Sequence, residues 1–147
     1  MKRTTLTRFF NRLPLWLATA LTPMGLWAQS LCPRENATLN GAYVTRATGS
    51  VGGAPLAVVG ITTYDGRGGF QLSATISFNG AINKGAGSGT YTVNRDCTGS
   101  QTFGSGPGAA HYDLVVTPDG RKITYIQTDT GTVVTVTSVR LSRRQDD

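Results

Sequence analysis

The sequence predicts an all-β protein, an eight-stranded antiparallel up-and-down barrel over residues 41–141. Between Leu39 and Leu141 apolar and polar residues alternate with a period of two, and glycine-rich turns interrupt the pattern at nearly even spacing. The clearest alternation, over residues 70–78, is followed directly by Asn79-Gly80, the strongest short-range signal for a β-hairpin. No stretch of ten residues has helical spacing, so helices are not expected in this domain.

Each predicted strand is an alternating segment bounded by turn residues. Eight segments fit this description, at about 41–48, 56–64, 70–78, 85–94, 100–104, 110–117, 121–129 and 132–141. Explicit turn chemistry follows the second, third, sixth and seventh of them, in order Asp65-Gly66-Arg67-Gly68-Gly69, Asn79-Gly80, Pro118-Asp119-Gly120 and Thr130-Gly131. Such short connections make consecutive strands antiparallel neighbours, and the simplest result is a closed meander. A β-sandwich is the alternative, with closure least secure at the glycine-rich segment 104–109.

The two-residue turns also assign side chains to faces, because a register shift of one residue would reverse every side chain. Turns at 79–80, 119–120 and 130–131 place on one face Phe70, Leu72, Ile76, Tyr91, Val93, Tyr112, Leu114, Val116, Ile123, Tyr125, Gln127, Val134 and Val136. Independent turns therefore agree on one inward face, which supports the barrel.

Residues 1–28 have the composition of a secretory signal peptide. Four basic residues and no acidic one precede an apolar run over 13–27. Two prolines interrupt this run, and Ala28 after it is a small residue suited to cleavage. The run is short and interrupted for a transmembrane helix, so no membrane span is expected after its removal; an uncleaved anchor is the alternative. We expect a bacterial protein that is secreted or periplasmic.

Removal of this segment changes the charge balance of the chain. The full sequence has 14 Lys and Arg residues against 8 Asp and Glu, a net charge of +6. Without the four basic residues of the signal, ten basic residues face eight acidic ones, a net charge of +2. The high isoelectric point is therefore mainly an export feature, and no nucleic-acid partner is expected.

Two cysteines, Cys32 and Cys97, remain in the exported part. An even number of cysteines in an exported chain predicts a disulfide. This bond would tether an N-terminal segment, 29–40, to the barrel domain, 41–141, and a polar tail, 142–147, would follow. Two free thiols or half of a metal site are the alternatives. No metal or other cofactor is expected, because the chain has one histidine and no C-x-x-C motif.

The inward face carries an unusual share of tyrosines, namely Tyr64, Tyr91, Tyr112 and Tyr125. Thr62 and Gln127 lie on the same face. Tyrosine offers a flat apolar face and a hydroxyl group that needs a partner when buried. Ligand pockets combine apolar walls with few polar groups in the same way. We therefore expect Tyr91, Tyr112, Tyr125 and Gln127 to line the site of a small, largely apolar ligand. The alternative is a filled core whose hydroxyl groups bond one another, the backbone or water.

Catalytic chemistry is not indicated by the polar residues, and no catalytic residue is assigned. His111 and Asp113 share the outward face of one strand, and the chain contains no G-x-S-x-G motif. The last strand also presents an outward stripe, of which Val133, Val139 and Leu141 are the apolar members. This stripe is a candidate contact for a homo-oligomer, although β-branched residues also favour strands without any such role.

The opening Leu39-Asn40-Gly41-Ala42-Tyr43, followed by eight meandering strands, resembles the calycin-type barrels, whose first strand carries Gly-x-Trp. The resemblance places Tyr43 where the tryptophan would be and Arg140 as the basic residue that packs on it. The opening is also similar to avidins, but the chain after residue 28 has no tryptophan to form the walls of a biotin site. Residues 87–100 are similar to a segment of secreted bacterial proteins, a likeness that brings no activity with it.

These observations lead to three candidate functions. The first is a non-catalytic barrel that binds a small, largely apolar ligand. The second is a protein-interaction module with a filled core, such as a protease inhibitor or an envelope component. The third is a cofactor-free cyclase or isomerase of the allene-oxide-cyclase barrel type, which acts chiefly by holding its substrate in one shape.

Overall fold

The structure, a computed structural model, describes residues 30–142. The predicted signal peptide, 1–28, lies outside these residues, as does the predicted polar tail apart from Ser142. Eight strands are present, β1 (Asn40–Val51), β2 (Ala54–Asp65), β3 (Gly69–Phe78), β4 (Ala81–Val93), β5 (Thr98–Phe103), β6 (Ala110–Val116), β7 (Lys122–Gln127) and β8 (Thr132–Arg140). Two short 3-10 helices, Glu35–Thr38 and Gly106–Gly108, accompany them. No helix within this part of the chain is both long and apolar enough to cross a membrane.

The strands form a closed antiparallel barrel in which each strand pairs with the next and β8 pairs with β1. The predicted eight-stranded up-and-down barrel is confirmed, and the β-sandwich alternative is wrong. β5 and β6 flank the segment 104–109, where the sequence predicted closure least strongly. They nevertheless pair continuously from Thr98↔Val115 to Phe103↔Ala110, so the sheet does not split there.

The register predicted from the turns is confirmed, since Phe78 pairs with Ala81, Tyr112 with Gln127, and Tyr125 with Val136. Some strands are longer than the alternation suggested. The first hairpin continues to Val51 because Gly52 and Gly53 adopt φ angles of +58° and +82°, which a two-residue turn between twisted strands requires.

One end of the barrel, here called the closed end, is filled with aromatic side chains. Tyr64 is central, because its ring packs edge to face on Tyr43 at 5.2 Å and on Tyr91 at 5.0 Å between centroids. Phe70 lies against the same ring at 5.6 Å. All four side chains are at most 4% exposed, so this end holds the core of the domain.

The chain before β1, residues 30–39, covers the closed end. A disulfide between Cys32 and Cys97 joins it to the β4–β5 connection, as predicted. Asn36 continues this attachment, because its Oδ1 accepts a hydrogen bond of 2.7 Å from the Val93 backbone N–H. The opposite end, where the connections 52–53, 79–80, 104–109 and 128–131 lie, is not covered by this segment and is here called the open end.

The closed end also contains the residues that carry the calycin resemblance. Tyr43 is fully buried on β1, and its hydroxyl donates a 2.6 Å hydrogen bond to the Gly120 carbonyl. Arg140 is opposite Tyr43 in the β1–β8 register, and its guanidinium donates to the Asn40 carbonyl. The architecture is thus consistent with a calycin-like barrel.

The wall of the barrel is uneven at the open end. β4 has 13 residues and β5 only 6, and the two strands pair only from Gly89↔Phe103 to Val93↔Gly99. The first half of β4, residues 81–88, therefore has β3 as its only strand neighbour. The loop that follows β5 contacts it through a 2.9 Å hydrogen bond from Gly104 N–H to the Ser88 carbonyl.

Candidate functional site

A cavity of about 330 Å³ occupies the barrel between the aromatic core and the open end. Its volume is at the lower end of the range for small-molecule sites, and about twice that of an apolar cavity that holds benzene. Most of its wall is apolar, formed by Leu56, Val58, Phe70, Leu72, Ala74, Ile76, Phe103, Val134 and Val136.

Two inward positions of β4 beside the cavity are glycines and carry no side chain. Gly85 and Gly87 both line it. The space inside Gly87 is taken by the Phe103 ring, whose Cζ would lie 2.5 Å from a Cβ atom at that position. A Cβ atom on Gly85 would have nothing within 4 Å, so the space inside this residue is empty.

The end of the cavity next to the core is polar, and we call it the inner polar end. Thr45, Thr62, Gln101 and Tyr125 line it, with Ser138 and Tyr64 behind. Thr45 Oγ1 lies 2.7 Å from Thr62 Oγ1 and 2.8 Å from Ser138 Oγ. The Tyr125 hydroxyl is 3.0 Å from Ser138 Oγ, and the Tyr64 hydroxyl donates a 2.8 Å hydrogen bond to Gln101 Oε1.

Two of the four predicted site residues, Tyr112 and Tyr125, line this cavity. Their rings pack edge to face with centroids 5.6 Å apart. Burial raises the pKa of Tyr112 to about 12, and it raises the pKa of Tyr125 as well. Both phenols therefore stay neutral at any physiological pH.

The other two predicted site residues do not line the cavity. Gln127 is opposite Tyr112 in the register, but its Nε2 donates a 2.8 Å hydrogen bond to Asp129 outside the barrel. Tyr91 lies at the closed end, where its hydroxyl donates to the Asn36 and Leu39 carbonyls, each at 3.0 Å. Burial raises the pKa of Tyr91 to about 12. Its hydroxyl therefore holds the covering segment rather than facing the cavity.

Gln101 and Thr45 were not predicted as site residues. Gln101 pairs with Tyr91 on one side and with Tyr112 on the other, so alternation along β5 would have placed it inward. The sequence signal was weak because the β4–β5 connection, residues 94–97, is not a recognisable two-residue hairpin turn. Thr62 was expected to face inward, and it is 1% exposed beside the cavity.

Charged groups near the open end lie outside the barrel. None of the residues that line the cavity is Asp, Glu, Lys, Arg or His. Within residues 30–142, no group of three or more His, Cys, Asp or Glu side chains is arranged to hold a metal ion. His111 points outward, as predicted, with its Nδ1 2.7 Å from Asp129 Oδ1.

Asp129 is expected to make the stability of the protein sensitive to acid. Hydrogen bonds from Gln127 Nε2, the His111 backbone N–H and the His111 ring lower the pKa of Asp129 from 3.8 to about 2. A lowered pKa means that these contacts stabilise the folded state fully above about pH 4 and are lost as the pH falls toward 2. The difference in thermal unfolding midpoint between the wild type and Asp129→Asn should therefore shrink from about pH 5 to about pH 2. A difference that stays constant over this range in circular dichroism melts would contradict the assignment.

The apolar stripe on β8 and just beyond it faces outward, as the alternation indicated. Val133, Val139 and Leu141 are 68%, 50% and 48% exposed. Self-association through these residues stays a prediction.

Comparison of the chain with protein-family models, with curated proteins and with solved structures finds no match.

Proposed function

We propose that this protein is a non-catalytic barrel that binds a small, uncharged and largely apolar ligand in the cavity of its open half. The observation that carries the proposal is the cavity of about 330 Å³, with apolar walls and hydroxyl and amide groups gathered at one end. Sites for small molecules have this composition, because apolar walls supply affinity and a few polar groups fix orientation. A filled barrel would instead have favoured a protein-interaction module acting through loops or the last strand.

The lining supports an uncharged ligand. Neither an acid nor a base lines the cavity, so a charged ligand would lose its hydration without gaining an opposite charge. An apolar body gains free energy by leaving water, at about 25 cal/mol for each Å² of surface that becomes buried. The two effects together favour a neutral molecule whose surface is mostly hydrocarbon.

An exported location fits the disulfide between Cys32 and Cys97. Disulfides persist in oxidising compartments and are uncommon in the cytosol. Together with the signal peptide predicted over residues 1–28, this supports a secreted or periplasmic barrel.

Filling the cavity from Gly85 should weaken binding while the fold is kept. A Cβ atom at Gly85 meets nothing within 4 Å, and its φ angle is not in the left-handed region, so the backbone accepts Gly85→Phe at a position that borders the cavity. We expect the full chain to bind the neutral fluorescent probe N-phenylnaphthylamine. Gly85→Phe should weaken this binding by at least about tenfold, because the ring takes the volume that the probe would fill.

Ser88→Phe is the matched control, because Ser88 lies on the same strand but is exposed on the outer face. It should bind the probe like the wild type, and both variants should melt within a few degrees of it. Equal binding by the wild type and Gly85→Phe would contradict the site. Native mass spectrometry of the protein from an exporting host would further reveal any retained small molecule, while turnover of a bound epoxide or polyene would assign a cyclase or isomerase instead.

A further inference from the structure

The inner polar end has more hydrogen-bond donors than it uses. Its hydroxyl groups belong to Thr45, Thr62, Tyr64, Tyr125 and Ser138, and its amide to Gln101. Five hydroxyls and one primary amide carry seven polar hydrogens. Four hydrogen bonds connect these groups, and each uses one hydrogen, so three donors find no acceptor within the set.

The amide of Gln101 accounts for part of this excess. Its Oε1 accepts from Tyr64, which leaves both hydrogens of Nε2 available. Among the hydrogen bonds of the inner polar end, none comes from Nε2. Because Gln101 lines the cavity and is only 5% exposed, a molecule inside the cavity can accept hydrogen bonds from this amide.

In a buried site, a hydrogen-bond donor without a partner costs more free energy than an acceptor without a partner. A hydroxyl oxygen that already takes part in hydrogen bonds can leave a lone pair unused at little cost. A buried N–H or O–H without an acceptor loses the whole of its hydration free energy, about 1–3 kcal/mol. Native proteins therefore leave buried donors unpaired less often than they leave acceptors unpaired. The inner polar end consequently selects for an acceptor.

We propose that the ligand carries a neutral hydrogen-bond acceptor, a carbonyl group of the ketone or ester class, at its leading end. The carbonyl oxygen meets the donors of Gln101 and the neighbouring hydroxyls, and the hydrocarbon body extends along the apolar wall toward the mouth. A carboxylate is disfavoured, since no cation lines the cavity to compensate its charge. This inference rests on the function proposed above and names the class of ligand that the site prefers.

A matched pair of ligands separates this inference from the existence of the site. Acetylnaphthalene and ethylnaphthalene, substituted at the same ring position, have nearly the same shape, and the carbonyl oxygen is the difference between them. Their affinities for the full chain are measured by displacement of N-phenylnaphthylamine. Displacement by ethylnaphthalene tests the apolar cavity alone, and the response of acetylnaphthalene to a variant of Gln101 tests the donors.

Gln101→Met removes both N–H donors while nearly keeping the length of the side chain. We expect acetylnaphthalene to bind this variant about five- to tenfold more weakly, the effect of losing one or two net hydrogen bonds. Ethylnaphthalene should bind it as tightly as the wild type, or somewhat more tightly. Gln71→Met is the matched control, because Gln71 is exposed on the outer face of β3 and should change neither affinity.

Gln101→Met also leaves the Tyr64 hydroxyl without its acceptor and could weaken the fold. The double variant Tyr64→Phe/Gln101→Met removes both partners of that hydrogen bond and should repeat the ligand result in a stable protein. Equal changes for the two ligands, or none for acetylnaphthalene, would overturn the carbonyl inference and leave the cavity intact. If the probe does not bind the wild type, or if neither ligand displaces the bound probe, the proposed function fails as well.

Discussion

Replacement of both Cys32 and Cys97 by alanine is expected to lower the free energy of unfolding by about 4 kcal/mol. The disulfide spans a sequence separation of 65 residues, and cutting it returns to the unfolded chain the conformations that such a loop excludes. Chemical denaturation of the oxidised wild type and of the double variant, fitted with a common slope, measures the change.

The loss should be one of stability and not of binding. The disulfide lies at the closed end, and neither cysteine lines the cavity. The folded fraction of the double variant should therefore bind N-phenylnaphthylamine with wild-type affinity. A change in unfolding free energy below about 1 kcal/mol would mean that the cover of the closed end is held by its hydrogen bonds alone.

Truncation of Tyr43 to alanine is expected to cost about 3–5 kcal/mol of stability, the range for a fully buried aromatic side chain. Tyr43 is 0% exposed, packs on Tyr64 and donates a hydrogen bond to the Gly120 carbonyl. The variant thus combines an empty volume in the core with a carbonyl that has lost its donor.

Tyr43→Phe is the control that separates these two contributions. It keeps the ring and removes only the hydrogen bond to Gly120, so about 1 kcal/mol is expected. The two variants are compared by urea unfolding against the wild type. Similar losses for alanine and phenylalanine would show that the hydrogen bond, and not the packing of the ring, accounts for the contribution of Tyr43.

The fold could be predicted because turns and alternation constrain each other. The Asn79-Gly80 turn alone sets Phe78 opposite Ala81, and every further pair of β3 and β4 follows from it. The ends of the strands were predicted less well where a glycine could either end a strand or form a tight turn between two longer strands. Gly52 and Gly53 interrupted the alternation in the sequence, yet in the fold they form the turn that lets β1 and β2 extend to it.

The candidate site could be predicted only in part, because alternation assigns a face but not a depth along the barrel. Tyr91 and Tyr125 share the inward face, but Tyr91 lies under the covering segment and Tyr125 at the inner polar end. The cavity itself is open beside Gly85, a position without a side chain. Glycine within a strand is usually interpreted as a bulge or bend, so the sequence contained no direct sign of the empty space.

The pairing of β8 with β1 has a consequence for how much of the chain the domain needs. β1 is the first strand in the sequence and obtains its second neighbour from Thr132–Arg140, the last strand. A chain that ends at Gly131 would therefore not be a shorter barrel but an open sheet with two unpaired edges, at β1 and β7. The barrel closes only when the chain includes all of β8. Until β8 has been synthesised, one edge of β1 stays unpaired and open to non-native strand pairing.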